Sequence, residues 1–203
     1  MYCHSVINKN SHFQDKPHLI ENRKKFVEQK RAKRVLIQTN GKYKNKIDTL
    51  FVDQRNKIRY SAVKSNFATL DSANSSINNA NDSNGNTLVV CCDGTASFYE
   101  VGLFQIPIER GYSTLGWNYP GFAQSTGLPY PEQLTAAADA VMHYAFDLGF
   151  KAENIILFSW SIGGFAVSWL TNQYPDVKAA VRRFKFLKEV NILINQECIR
   201  KRS

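Results

Sequence analysis

The sequence predicts an α/β protein, a mostly parallel sheet with flanking helices, and three observations carry that reading. Leu88-Val89-Val90-Cys91-Cys92 and Ile155-Ile156-Leu157-Phe158 are continuous apolar runs without polar alternation, as central strands covered on both faces require. Between them a helix is predicted over about 132–148. Its residues Leu134, Ala137, Ala138, Val141, Ala145 and Leu148 fall on one face of a 3.6-residue repeat. Strand and helix alternate at the rhythm of parallel pairing with right-handed crossovers.

The elements follow in order. Residues 1–33 are polar and basic, with Arg23-Lys24-Lys25 and a second run ending at Arg34. They read as a solvated helix or disordered arm, or as a contact for an anionic membrane surface. Two strands are predicted at 35–39 and 47–52, with a turn at Asn40-Gly41. The Asn/Ser-rich stretch 72–86 is a low-complexity connection that cannot bury anything. Asp93-Gly94-Thr95 breaks the strand that begins at Leu88. A further strand over 112–117 stops at Asn118-Tyr119-Pro120-Gly121, and Gly149 suits the position just past the following helix. A second apolar helix over 162–172 ends before Pro175. In the last segment, Phe184, Leu187, Val190 and Ile194 are spaced like a basic amphipathic helix, while 190–194 equally reads as a strand. The chain thus divides into a basic arm (1–33), a partial α/β domain (34–181) and a basic tail (182–203).

Charge sits at the ends. Of the formal +9, residues 1–46 hold 12 basic and 3 acidic side chains, and 182–203 hold 7 and 2. The middle keeps 7 basic against 12 acidic groups, and no nucleic-acid recognition module is present, so a nucleic-acid partner is excluded. Cys3, Cys91, Cys92 and Cys198 form no CxxC pair and have no histidine at metal-ligand spacing, so no metal site is expected. Cys91 and Cys92 read as small buried hydrophobes on opposite faces of one strand, in a reducing compartment. The N-terminus lacks the apolar region of a signal peptide. The uncharged stretch 154–175 has a length that imitates a membrane span, but its serines and glycines have a better explanation.

That explanation is Ser159-Trp160-Ser161-Ile162-Gly163-Gly164, between a buried strand and an apolar helix. It matches the nucleophile elbow of the α/β-hydrolase fold, with Ser159 in place of the first glycine. Ser161 is the candidate nucleophile, lifted on a strained strand-to-helix turn. Ser159, Gly163 and Gly164 are small where the turn presses its flanks together. The helix N-terminus beside it favours a developing oxyanion. The loop after the Leu88 strand supplies the second oxyanion donor in this fold. Here that is Thr95 or Ala96, with Gly94 allowing close approach and Ile162 N–H as partner.

Three segments, LVVCCDGTASFYEVG, GYSTLGWNYPGFAQSTGLPYP and SWSIGGFAVSWLTNQYPDV, resemble the phosphatidylserine-lipase branch of the abhydrolase-domain proteins, which are intracellular membrane-associated serine hydrolases. The likeness runs from about Ile47 to Val181. It implies a lipid ester substrate, namely acyl esters of phosphatidylserine and monoacylglycerols, cleaved without metal or organic cofactor. Thr95 stands where the family usually has Asn, Ser97 where it has Gly, and Ser159 where it has Ala. Family members also carry hydrophobic spans ahead of the hydrolase domain, which this chain lacks. After Val181 the resemblance stops, where the family continues with a strand and the segments bearing its acid and histidine.

In this fold the triad runs in the order Ser, acid, His. His4, His12, His18 and His143 all precede Ser161, and neither Asp176, Glu189 nor Glu197 suits the acid. No triad acid or histidine can be named in the chain. Loss of the histidine from such a triad costs on the order of 10⁶ in kcat. The expectation is therefore a partial α/β-hydrolase fold lacking its C-terminal strands, truncated after the nucleophile helix, with impaired serine-lipase chemistry. The alternative is a non-catalytic product that binds lipid or a protein partner.

Overall fold

A computed structural model of the chain describes residues 17–55, 84–94, 97–183 and 191–194, the last four as backbone only. Helix α1 (Pro17–Lys30) leads into strands β1 (Lys33–Gln38) and β2 (Lys46–Val52), an antiparallel pair turned at Gly41, whose φ is +78°. Then come β3 (Leu88–Cys92), the short helix α2 (Gln105–Glu109), β4 (Ser113–Trp117), α3 (Pro131–Asp147), β5 (Ile155–Trp160), α4 (Gly163–Gln173), β6 (Ala179–Arg183) and β7 (Asn191–Ile194).

The strands form one sheet in the order β1-β2-β4-β3-β5-β6-β7. Pairs β4–β3, β3–β5 and β5–β6 are parallel, and β1–β2, β2–β4 and β6–β7 are antiparallel. Five of the seven strands therefore run the same way, with β2 and β7 opposed, and the expected mostly parallel α/β architecture is the one observed. β3 lies between β4 and β5 and is buried along its whole length, as its unbroken apolar run requires. The connection after β3 leads to β4 on one side, and the connection after β5 leads to β6 on the other. The carboxyl ends of β3 and β5 thus diverge at a topological switch point, where open α/β sheets form their crevice.

Helices α3 and α4 cover one face. Leu134, Ala137, Ala138, Val141 and Ala145 of α3 and Ala166, Val167 and Leu170 of α4 join Leu88, Val90, Cys92, Leu115 and Leu157 in the main core. Val89, Cys91 and Leu103 pack on the opposite face, so the two adjacent cysteines do point apart. The uncharged 154–175 stretch is β5, a tight corner and α4. Among the described residues no helix is long and apolar enough to cross a membrane.

Three elements differ from the sequence expectation. Residues 17–30 are not a solvated arm: α1 buries Leu19, Arg23 and Phe26. Arg23 was hidden in a basic run, but its guanidinium donates to Glu100 Oε1, through Nε at 2.9 Å and through Nη2, and lies 3.6 Å from Asp48 Oδ2. Tyr99 donates to Asp48 Oδ2 at 3.1 Å, Arg34 Nε donates to Asp48 Oδ1 at 2.7 Å, and Asn22 donates to the Glu100 carbonyl at 3.3 Å. Two buried carboxylates are thereby matched by two guanidiniums, which offsets the desolvation each carries. Second, β6 pairs with the edge of β5; Ala179-Ala180-Val181-Arg182-Arg183 is short and poor in strand formers, and pairing decides its state. Third, the end of the Asn/Ser-rich stretch is packed. Residues 84–86 form a 3₁₀ turn around buried Gly85, where an added Cβ would lie 2.7 Å from the Gln54 carbonyl oxygen. Residues 72–83 lie outside the described residues, as do 184–190, while 191–194 is strand.

Candidate active site

The corner between β5 and α4 is held by contacts on both sides. Ser161 has φ +53°, a left-handed conformation costly for a residue with a Cβ. Its N–H donates to the Arg183 carbonyl at 2.9 Å, continuing the β5–β6 ladder by one bond, and its own carbonyl accepts from Gly164 N–H at 3.0 Å. The chain turns into helix within one residue, Ile162 already having φ −62° and ψ −21°. Among the described residues the Ile162 N–H has no acceptor, as for the first amides of any helix. The fit on the inner side is tight: a Cβ at Gly163 would lie 2.0 Å from the Cys92 carbonyl oxygen and 2.7 Å from that of Asp93. Ser159 is fully buried and donates to the Val181 carbonyl at 3.3 Å, and Gly164 is buried in the first turn of α4.

Opposite stands the loop after β3. A Cβ on Gly94 would be 3.4 Å from Ser161 Cβ and 3.2 Å from Trp160 Cδ1, so the two strand ends meet at these residues. Thr95 and Ala96, the expected second donors, lie outside the described residues. A cleft of about 480 Å³ opens between the strand ends, lined by Asp93, Gly94, Ser97, Val101, Leu103, Ile106, Trp160 and Ser161. Its walls are mixed, apolar at Val101, Leu103, Ile106 and Trp160 and polar at Asp93, Ser97 and Ser161.

Asp93, not singled out from the sequence, is the buried polar group of this cleft. Its Oδ1 accepts from Leu103 N–H at 2.8 Å and from Ser97 Oγ at 3.4 Å, while Oδ2 is buried and has no hydrogen-bond partner among the described residues. Gly102 packs so closely that a Cβ there would lie 2.0 Å from Oδ1. Burial pushes the Asp93 carboxyl up to about 6, against the Leu103 and Ser97 hydrogen bonds, which favour the ionised form. The legible signal was an acid at the carboxyl end of a wholly buried strand. Burial likewise pushes the Cys92 thiol up to about 12, so it packs as a neutral group.

Of the residues considered as triad partners, His143 and Asp176 stay apart from this corner. His143 is 57% exposed on α3, 3.7 Å from Asp139, and its ring meets Tyr174, which follows the C-terminus of α4. The eleven residues of α4 therefore separate it from Ser161, a helix length of roughly 16 Å. Asp176 is exposed in the turn before β6, at the amino edge of the parallel strands. Glu189 and Glu197 lie outside the described residues. Among the described residues no cluster of His, Cys, Asp and Glu is arranged to hold a metal ion.

Sheet order, corner and cleft together define the α/β-hydrolase fold. Solved structures share the fold, among them the following two. The alpha-beta hydrolase from Vibrio vulnificus has a TM-score of 0.57 at 16% identity, covering 85% of this chain and 52% of that one. The Pyrococcus furiosus esterase Pf2001 has a TM-score of 0.50 at 16% identity, covering 73% and 47%. Within that class the chain resembles the phosphatidylserine-lipase branch of the abhydrolase-domain proteins. It is 40% identical over 167 residues to phosphatidylserine lipase ABHD16A of Homo sapiens and equally to that of Bos taurus, 81% of this chain and 25% of each relative. Over 95 residues it is 58% identical to the uncharacterized protein F37A4.1 of Caenorhabditis elegans, 46% of this chain and 20% of that one. The chain thus spans about a quarter of the length of the lipases it matches. No family model matches it.

Two outcomes follow from this geometry. Ser161→Gly should be more stable than Ser161→Ala by about 1 kcal/mol in urea unfolding, the reverse of the order inside a regular element, because only glycine is unstrained at positive φ. For Asp93, the folded value of about 6 lies above the ordinary 3.8. Its contribution is therefore fully present below pH 3.8 and is lost as pH rises through about 6, because the unfolded chain ionises first. Thermal unfolding of Asp93→Asn should lack that decline, so the variant gains on the wild type across this window; a gain by the wild type would contradict the burial argument.

Proposed function

We propose that this chain carries the nucleophile half of a serine hydrolase of the lipase type. The left-handed conformation of Ser161, wedged between β5 and α4 in the lining of the cleft, is the single observation that supports this most. Ser161 Oγ attacks the ester carbonyl, and the carbonyl oxygen takes the negative charge as the tetrahedral carbon forms. Ile162 N–H and an amide of Thr95 or Ala96 receive that charge, while Ser159, Gly163, Gly164 and Gly94 keep the two strand ends close enough for both donors to converge. The hydroxyl proton must pass to a base and the leaving alcohol must collect one.

By resemblance the substrates are acyl esters of phosphatidylserine and monoacylglycerols, reached at an intracellular membrane surface with help from the basic ends. Arg23 takes no part in that contact, being consumed in the ion-pair cluster beneath α1. No cofactor enters the reaction. Within these 203 residues no histidine follows Ser161, and His143 stands at the far end of α4. A Ser161 without a triad histidine would turn over on the order of 10⁶ below a complete triad, with about 10³–10⁴ over water left to the oxyanion donors and binding. That distance between His143 and Ser161 also favours a second reading, a non-catalytic module that binds lipid or a protein partner.

A fluorophosphonate probe separates the two. Slow covalent labelling that disappears in Ser161→Ala is the expected result, read by mass spectrometry of the modified peptide. Equal absence of labelling in both chains would favour the binding module.

A further inference from the structure

Arg183 closes β6 at the point where the Ser161 corner is tied down. Its carbonyl accepts the Ser161 N–H at 2.9 Å, and its residue is the register partner of Trp160. Its guanidinium stacks on the Trp160 ring, 4.9 Å from the centroid, and Trp160 is a wall of the cleft that holds Ser161. Register partners in a ladder project to the same face, so the guanidinium stands on the side of Trp160, Leu103 and Ile106, whereas Arg182, paired with Ser159, turns to the other. Arg183 is exposed, and among the described residues no carboxylate pairs with it. The cleft's own acid, Asp93, is buried and turned to Leu103 and Ser97, from which its Oδ1 accepts, and no ion pair joins it to Arg183 among the described residues.

We propose that Arg183, held against Trp160, is a head-group subsite for the phosphodiester of a glycerophospholipid whose acyl ester lies at Ser161. This rests on the hydrolase reading only for what lies at Ser161. A stacked guanidinium is pre-organised and presents its edge as a fork of donors that matches two phosphate oxygens. In a glycerophospholipid the phosphorus lies about five bonds from the acyl carbonyl carbon, on the order of 6 Å. Neighbouring strands lie about 4.8 Å apart, so the ends of β5 and β6 are separated by a distance of the same order. Val101, Leu103 and Ile106 then line the cleft for the glycerol and the start of the acyl chain. Neutral monoacylglycerol offers only hydroxyl and carbonyl oxygens and no anionic group, so the charge-assisted contact to this one side chain separates phospholipid from neutral ester.

The test is titration calorimetry of the full chain with three probes: monomeric dihexanoyl-phosphatidylserine, monobutyrin and inorganic phosphate. Arg183→Gln should weaken the phospholipid by about tenfold and leave monobutyrin unchanged; Arg183→Lys, which keeps the charge and loses the fork, should weaken the phospholipid by about threefold. Far-ultraviolet circular dichroism checks that both variants are folded. Unchanged phospholipid binding in Arg183→Gln would overturn the proposal, as would an equal loss for monobutyrin. Inorganic phosphate binding as tightly as the phospholipid would overturn the head-group assignment in favour of a free-anion site. The same titrations in Ser161→Ala should show the same Arg183 dependence, because binding needs no hydroxyl. An unlabelled Ser161 with that dependence intact would remove the hydrolase reading and leave the subsite standing.

Discussion

The contact between Gly163 and the carbonyl of Cys92 is the constraint on which the site depends. It brings the first turn of α4 against the last residue of β3, with no room for a single methyl group. Because α4 must start there, the chain leaves β5 through one residue, and that residue takes the left-handed conformation. The strain at Ser161 is thus a consequence of sheet order: β3 and β5 are neighbours whose exits diverge, and the crevice between them is where a helix N-terminus meets a loop. Strain of this kind persists only where surrounding contacts over-determine it, and here a ladder bond to Arg183 and the packing of Gly163 do so.

The loop facing the corner is anchored just as firmly, though by polar groups. Asp93 ties the end of β3 to Leu103, and Glu100, three residues earlier, is bound by Arg23 of α1 and by Asn118. Tyr99 reaches Asp48 in β2, and Tyr119 donates to the Asp93 carbonyl. The segment that lines the cleft is therefore suspended between the sheet end and the ion-pair cluster beneath α1. A buried cluster of this sort contributes little net stability, since desolvation consumes most of its attraction, but losing one member strands a charge. Its effect is on geometry, holding residues 97–104 in one arrangement beside the cleft.

What was legible in the sequence followed from period and punctuation. Unbroken apolar runs marked β3 and β5, the 3.6-residue stripe marked α3, and small residues around Ser161 marked the corner, because these features are local. What was not legible depends on partners far along the chain. Arg23 looks like any solvated basic residue until Glu100, 77 residues away, lies opposite it. β6 has alanines and arginines that do not favour a strand, and only the edge of β5 makes it one. Asp93 has the local pattern of a strand breaker, and its burial follows from the return of Gly102 and Leu103 over it.

The central claim is that Ser161 Oγ and the Ile162 amide converge on one atom of a bound acyl group. A crystal structure of the chain after treatment with a small alkyl fluorophosphonate tests this most directly. Phosphorus bonded to Ser161 Oγ, with its phosphoryl oxygen about 2.7–3.1 Å from Ile162 N, is the predicted result. An unmodified Ser161, or an adduct whose phosphoryl oxygen points to solvent with no amide donor near it, would contradict it.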